Sequence, residues 1–304
     1  MWNKASPSFL GCSSDFQKAD TILFGAPFDS TASYRPGARF GSRAVREESF
    51  GIETYSPYQD ADLSECAVLD AGDLELCIGD SKSALSQIKK FSAAVYRAGK
   101  LPLMIGGEHL VTLGSVSEAA ERFPDLRVLQ FDAHCDLRDE YLGARLSHAT
   151  VLRRCWDLLG DGRIYQFGIR SGLREEFRWS RAHTSLSRFG FDGLRKTIQE
   201  IHGYPVYLTV DLDVLDPSVF PGTGTPEPGG VTFRELMDAV LSVAGNCRLV
   251  GCDLVELAPA LDLSGVSTIT VCKLLRELLL ALNRNPNCLG KTGKKNTSEK
   301  TSEN

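Results

Sequence analysis

Short apolar runs alternate with amphipathic stretches along most of this chain, and that alternation restricts the fold more than any other feature. The strand-like runs are 21–25, 67–70, 101–105, 127–131, 163–168, 205–210 and 247–255, with a weaker one at 183–187. Helical periodicity falls between them, at 81–98, 109–122, 149–159, 191–202, 231–245 and 268–283. The strand-like runs are almost continuously apolar, as strands buried on both faces are. Strand and helix taken in turn predict a parallel sheet covered by helices on both sides. No compositional shift and no repeat of fixed period marks a second domain, so residues 1–283 are expected to form one domain. From 284 to 304 the periodicity disappears into a lysine-, serine- and threonine-rich run, where a disordered tail is expected.

The chemistry gathers where strands end. "LQFDAHCDL" closes an apolar run and then places Asp132, His134 and Asp136 at every second position. In extended backbone, with a rise of about 3.3 Å per residue, such residues share a face. At a strand's carboxyl end they project into the crevice where open α/β sheets bind ligands. Helix caps and turns are the alternative reading of that segment by itself. The pattern recurs in "VYLTVDLDVLDPS", which ends a strand with Asp211 and Asp213 before an Asp-Pro turn. A third strand ends in "GGEH", where Gly106 and Gly107 allow close backbone approach before Glu108 and His109. Three adjacent strand ends are therefore expected to bring His109, Asp132, His134, Asp136, Asp211 and Asp213 together.

Charge decides what such a cluster needs. Four carboxylates in one crevice repel one another, and two divalent cations cancel them. Six ligands, some bridging, suit a pair of ions about 3.5–4 Å apart, which lower the pKa of a shared water toward about 7. An oxygen-rich set without thiolate favours a hard ion, two Mn²⁺ per chain, over structural zinc. Hydrolysis is the expected reaction.

Composition removes other classes. A net charge of −5 and a pI near 5.6 argue against nucleic acid as a partner. No run approaches the length of a membrane span, and the first residues lack the apolar core of a signal peptide. Nine scattered cysteines without a C-x-x-C pair fit reduced thiols and a cytoplasmic setting.

"GGEH", "DAHCD", "SHAT" and "TVDLDVLDP", in that order, resemble the signature segments of the ureohydrolase (arginase/agmatinase) family, over nearly all of residues 20–282. The resemblance implies a three-layer α/β/α sandwich around a mostly parallel eight-stranded sheet. It implies that His109, Asp132, Asp136 and Asp211 hold one manganese, and that Asp132, His134, Asp211 and Asp213 hold the other. It gives His148 the part of proton shuttle and Glu256 that of guanidinium ligand, and it implies a homo-oligomer, a trimer or hexamer. A histidine with a pKa near 6.5 suits proton delivery to a leaving amine, and a carboxylate pairs with planar guanidinium bidentately. "FPGTGTPEPGG" (220–230) lacks a P-loop ending and reads as a structural rim near the metals.

For the substrate, "LRDEYLGARLSHAT" and "FGIRSGLREE" look more like agmatinase than arginase sequences. Asp139, Glu140, Glu175 and Glu176 suit the distal ammonium of agmatine, while Arg138, Arg145 and Arg170 keep carboxylate-bearing substrates open. The expected activity is hydrolysis of agmatine to urea and putrescine, in polyamine metabolism. The alternative is another guanidino or amidino compound: guanidinobutyrate, arginine or formiminoglutamate. A single-zinc deacylase and a non-catalytic paralogue are disfavoured because all six ligand positions are filled. Cys135 is expected to point away from the ligands and to raise sensitivity to oxidation. Leu110 stands where serine is common. His183 and His202 carry no assigned chemistry, His202 reading as a helix-end residue.

Overall fold

A computed structural model describes residue 5 and residues 7–291. Eight strands form one sheet: β1 (Thr21–Ala26), β2 (Val68–Asp73), β3 (Leu101–Gly106), β4 (Arg127–Phe131), β5 (Ile164–Ile169), β6 (Ser185–Arg188), β7 (Pro205–Asp211) and β8 (Arg248–Val255). Their order is β2-β1-β3-β8-β7-β4-β5-β6, and every neighbouring pair is parallel. β1, β3 and β7 are buried at every residue, which is why they read as unbroken apolar runs.

Helices cover both faces. Helices α1 (Gly41–Glu48), α6 (Leu194–Glu200), α7 (Phe233–Asn246) and α8 (Val266–Arg284) contribute to a core with Leu103, Leu208 and Leu254. On the other face α2 (Ser81–Arg97), α3 (Thr112–Arg122) and α4 (Val151–Leu159) pack with Met104, Val128 and Val250, and Phe177 and Trp179 of α5 (Arg174–His183) join them. The result is the three-layer α/β/α sandwich expected. Local signals fix several helix starts. Asp80 caps α2 by accepting from the amides of Lys82 and Ser83. Thr232 and Glu235 close a reciprocal capping box on α7. Within α8, Leu274, Leu275, Leu278 and Leu279 are buried, and truncating one such leucine to alanine costs about 2–5 kcal/mol.

All eight expected strands are present, the weakest beginning at Ser185 rather than 183. The helices expected from 109 and 149 each begin with a 3₁₀ turn, His109–Val111 and His148–Thr150. α1 and α5 were not expected. Residues 285–291 are held against the domain: Asn285 donates to the carbonyls of Ala244 and Cys247, the Leu289 amide donates to Leu249, and Lys291 pairs with Asp20 at 2.7 Å. Residues 292–304, on which the rest of the expected tail falls, lie outside the described residues. Among the described residues no helix is long and apolar enough to cross a membrane.

Candidate functional site

Four neighbouring strands at the middle of the sheet, β3, β8, β7 and β4, end on the same side and carry the predicted metal ligands and Glu256, while His148 opens the turn before α4. The expectation of three adjacent strand ends needs this correction, because β8 separates β3 from β7 and brings Glu256 between them. The Gly106-Gly107 pair has the use foreseen for it. A Cβ on Gly107 would lie 1.9 Å from the carbonyl oxygen of Phe28, and one on Gly106 would lie 2.5 Å from Val255. The backbone before His109 thus passes against two other strand ends where side chains have no room.

Six side chains converge. Nδ1 of His109 lies 3.0 Å from Asp132 Oδ2, 3.0 Å from Asp136 Oδ2 and 3.2 Å from Asp211 Oδ2. Nδ1 of His134 lies 2.9 Å from Asp213 Oδ2 and 3.6 Å from Asp132 Oδ1. Asp132 therefore turns one oxygen toward each histidine. His109, Asp132 and Asp211 form one group able to hold an ion, and Asp132, His134 and Asp213 form another. Strand alternation is not what aligns them. The strand stops at Phe131, and Asp136 turns into the left-handed region at φ 53°. Glu256 does the same at φ 67°, immediately beyond β8. Non-glycine residues take that conformation at a cost, and its use at two candidate site residues fits strain held at a functional centre.

The His109 ring is held in place from behind. Nε2 of His109 bonds to Thr209 Oγ1 at 2.9 Å, and Thr209 lies 3.3 Å from Thr112 Oγ1. With Nε2 carrying the proton, Nδ1 presents a lone pair to the three carboxylates. That Nδ1 is buried and has no hydrogen-bond partner among the described residues. A buried ring nitrogen facing three carboxylate oxygens is the donor set of a cation site. Behind it, Gln130 donates to Asp132 Oδ2 at 2.5 Å, and Gln166 donates to Gln130 at 2.6 Å and to the Cys135 carbonyl at 2.8 Å.

The cluster's electrostatics match this. Burial pushes Asp136 up to about 7, helped by the charge of Asp132. Burial likewise raises Asp211 well above the carboxylate range, with Asp213 and Asp132 adding to it. Burial pulls both imidazoles down, but the carboxylates around them outweigh it and hold His109 and His134 well above the usual histidine value. Burial works upward on Asp132 as well, yet the two imidazoles outweigh it and keep it low. Without cations the cluster thus retains protons, which is how buried carboxylates lacking a counter-ion lower their repulsion.

These groups open into a cavity of about 520 Å³, within the range of small-ligand sites. His148, Glu256, Arg138, Tyr141, Tyr34 and Glu227 also line it. Glu256 is buried, and its Oε1 accepts the His109 amide at 2.8 Å. Burial raises it well above the carboxylate range, with the charges of Glu108 and Asp213 adding to that. His148 rests edge-on against Tyr141 and is lowered to about 4, chiefly by burial.

A profile described as that of the arginase family matches residues 19–281. An agmatinase from Bacillus anthracis is 43% identical over 276 residues, 90% of this chain and 95% of that protein. A human mitochondrial guanidino acid hydrolase is 35% identical over 276 residues, covering 86% of this chain and 78% of its own length. A Clostridium difficile crystal structure, described as that of a candidate agmatinase, superposes with a TM-score of 0.86 at 47% identity, covering 88% of this chain and 99% of that one. The chain belongs to the arginase family. Within it, this is an agmatinase-like ureohydrolase, and an enzyme.

Several expectations for this arginase-family cavity need correction. Asp139, Glu140 and Glu175 do not line it. Asp139 is exposed and bonded to Arg154 at 2.6 Å. Glu176 does line it, but its oxygens accept the amides of Leu137 and Leu173, at 2.9 and 2.8 Å. Arg170 is consumed by the backbone carbonyls of Asp213, Val214 and Glu227, and Arg145 lies outside among Asp139 and Asp157. Arg138 alone of the three arginines faces the cavity, stacked 4.4 Å from the Tyr141 ring.

The loop 220–230 is more than a structural rim. Thr225, Pro226 and Glu227 line the cavity, and Glu227 accepts from Ser171 at 2.8 Å. Cys135 is buried at the cavity wall, and burial holds its thiol far above the ordinary value, which argues against the expected sensitivity to oxidation. Leu110 is core, His202 is exposed, and His183 stacks on Trp179 at 4.2 Å while bonding Asp161. Thr209, Gln130, Gln166 and Glu227 were missed. Each lies in or beside a quoted motif, but its part depends on contacts across the sheet.

Proposed function

We propose that this chain is a binuclear manganese hydrolase that cleaves agmatine to urea and putrescine. The observation that carries the reading is the unpartnered, buried Nδ1 of His109 facing three carboxylate oxygens on the floor of a cavity that His148 and Glu256 also line. In this reading His109, Asp132, Asp136 and Asp211 hold one manganese, and Asp132, His134, Asp211 and Asp213 hold the other. Bound there, the two cations would lower the pKa of a shared water toward about 7.

The chain's own residues do the rest. Glu256 binds the guanidinium, and its raised proton affinity falls when that cation arrives. His148 lines the same cavity, and delivery of a proton to the leaving amine is assigned to it. Its depressed value keeps it neutral in the resting cavity. Relatives described as agmatinases support the choice of agmatine, as does an acid-rich cavity in which Arg138 is the sole lysine or arginine of the lining. Putrescine formation follows from the same reading.

A second reading, a guanidino acid as substrate, is favoured by Arg138, whose guanidinium is placed to meet a carboxylate. Urea release from agmatine, guanidinobutyrate and arginine, and formamide release from formiminoglutamate, with manganese and with metal content measured, separate the two. Agmatine turned over fastest, with two manganese per chain, supports the first. Two manganese with urea only from an acid defeats the substrate and keeps the site.

A further inference from the structure

A buried carboxylate outside the predicted ligand set calls for an explanation. Glu108 has no exposed surface, and burying a carboxylate is costly unless it holds something in place. Among the described residues, the hydrogen bonds recorded to its side chain both come from Thr31: the amide donates to Oε1 at 2.9 Å and the hydroxyl to Oε2 at 2.9 Å. The Thr31 hydroxyl has a second partner, because it accepts the backbone amide of His148 at 3.1 Å. The bonds run in one direction, from the His148 N–H to the Thr31 oxygen and from the Thr31 O–H to Glu108, so each strengthens the next.

The same loop meets the His148 ring. Ser33 Oγ lies 3.3 Å from Nε2, and Glu108 Oε2 stands 3.8 Å from Nδ1. The loop is itself seated on the "GGEH" segment, since the Glu108 amide donates to the Phe28 carbonyl at 2.8 Å. At its far end Arg35 donates to the carbonyls of Thr223 and Gly224. The chain between β1 and α1 thus forms a strap from the end of β3 across to the start of the His148 turn.

We propose that Thr31 and Glu108 are positioning residues for His148: Glu108 fixes Thr31 bidentately, and the Thr31 hydroxyl fixes the backbone from which His148 reaches into the cavity. This rests on the reading of His148 as proton donor. A proton donor is useful only within hydrogen-bond reach of the atom it serves, and a displacement of about 1 Å costs on the order of a hundredfold in rate.

The test uses the manganese-loaded full chain and the guanidino compound it hydrolyses fastest. Thr31→Val removes the hydroxyl and keeps the volume, while Thr31→Ser keeps the hydroxyl. The valine variant is expected to lower kcat by about ten- to a hundredfold, with KM within about twofold and manganese content unchanged, and the serine variant to recover most of it. In a His148→Ala background, Thr31→Val is expected to cause no further loss, because the residue it positions is gone. An unchanged kcat in Thr31→Val, an equal loss in both backgrounds, or loss of manganese would each overturn the proposal. Full activity in His148→Ala alone would instead defeat the reading of His148 on which it rests.

Discussion

Two polar clusters meet in one cavity, and they are built on opposite terms. On the floor, His109, His134 and four aspartates crowd together with a ring nitrogen left unpartnered and carboxylates forced to retain protons. On the rim, His148, Thr31 and Glu108 satisfy one another through directed hydrogen bonds. The first cluster is incomplete without added positive charge, and the second is complete from the chain alone. The contrast teaches that preorganisation can mean two things: a site held ready for ions, and a side chain held ready for a proton. Removing a residue from the floor should change what binds, whereas removing one from the rim should change only how fast the reaction runs.

Asp132→Asn attacks the floor where its two halves join and should have the largest effect. It is expected to empty one or both metal positions and lower urea release by more than about a thousandfold, read by metal analysis beside the urea assay. Full metal loading in that variant would break the contrast. His148→Ala should lower turnover by about 10²–10⁴-fold with manganese content intact. If it emptied the site, the rim would belong to the floor. Thr209→Val removes the partner that orients His109 and should weaken manganese affinity by about 10–100-fold, measured by titration calorimetry.

The smallest effect is one of pH. Asp136 rises to about 7 and Asp211 lies well above the carboxylate range, so the metal-free floor still holds protons as pH approaches neutrality. A cation must displace those protons, so affinity should rise as pH increases through about 7 and fall below it, with proton release on binding. Affinity independent of pH between 6 and 8 would contradict the protonated floor.

The sequence disclosed the floor more readily than the rim, for physical reasons. Asp132, His134, Asp211 and Asp213 advertise themselves because charged residues just beyond an apolar strand are costly without a task. Strands buried on both faces are equally legible, which is why β1, β3 and β7 stood out, whereas β6, with no buried residue, read only weakly. α1 and α5 were not, because "GSRAVREE" and "REEFRWSRAH" bury few apolar groups and are held by polar ones. Thr31 was invisible for a related reason. A threonine in a loop carries no periodicity, and its part exists only because the chain between β1 and α1 crosses to the ends of β3 and of the "SHAT" segment. Glu227 was masked by its glycine- and proline-rich loop. Arg170 misled in the opposite direction, since an arginine in a motif near a site looked available until its donors were found on backbone carbonyls.

Counting manganese per chain in crystals of the full protein, by anomalous scattering after saturation, tests the central claim most directly. Two peaks are expected, one beside Nδ1 of His109 and the other beside Nδ1 of His134, with Asp132 reaching both. One peak or none would contradict a floor built for a pair of cations.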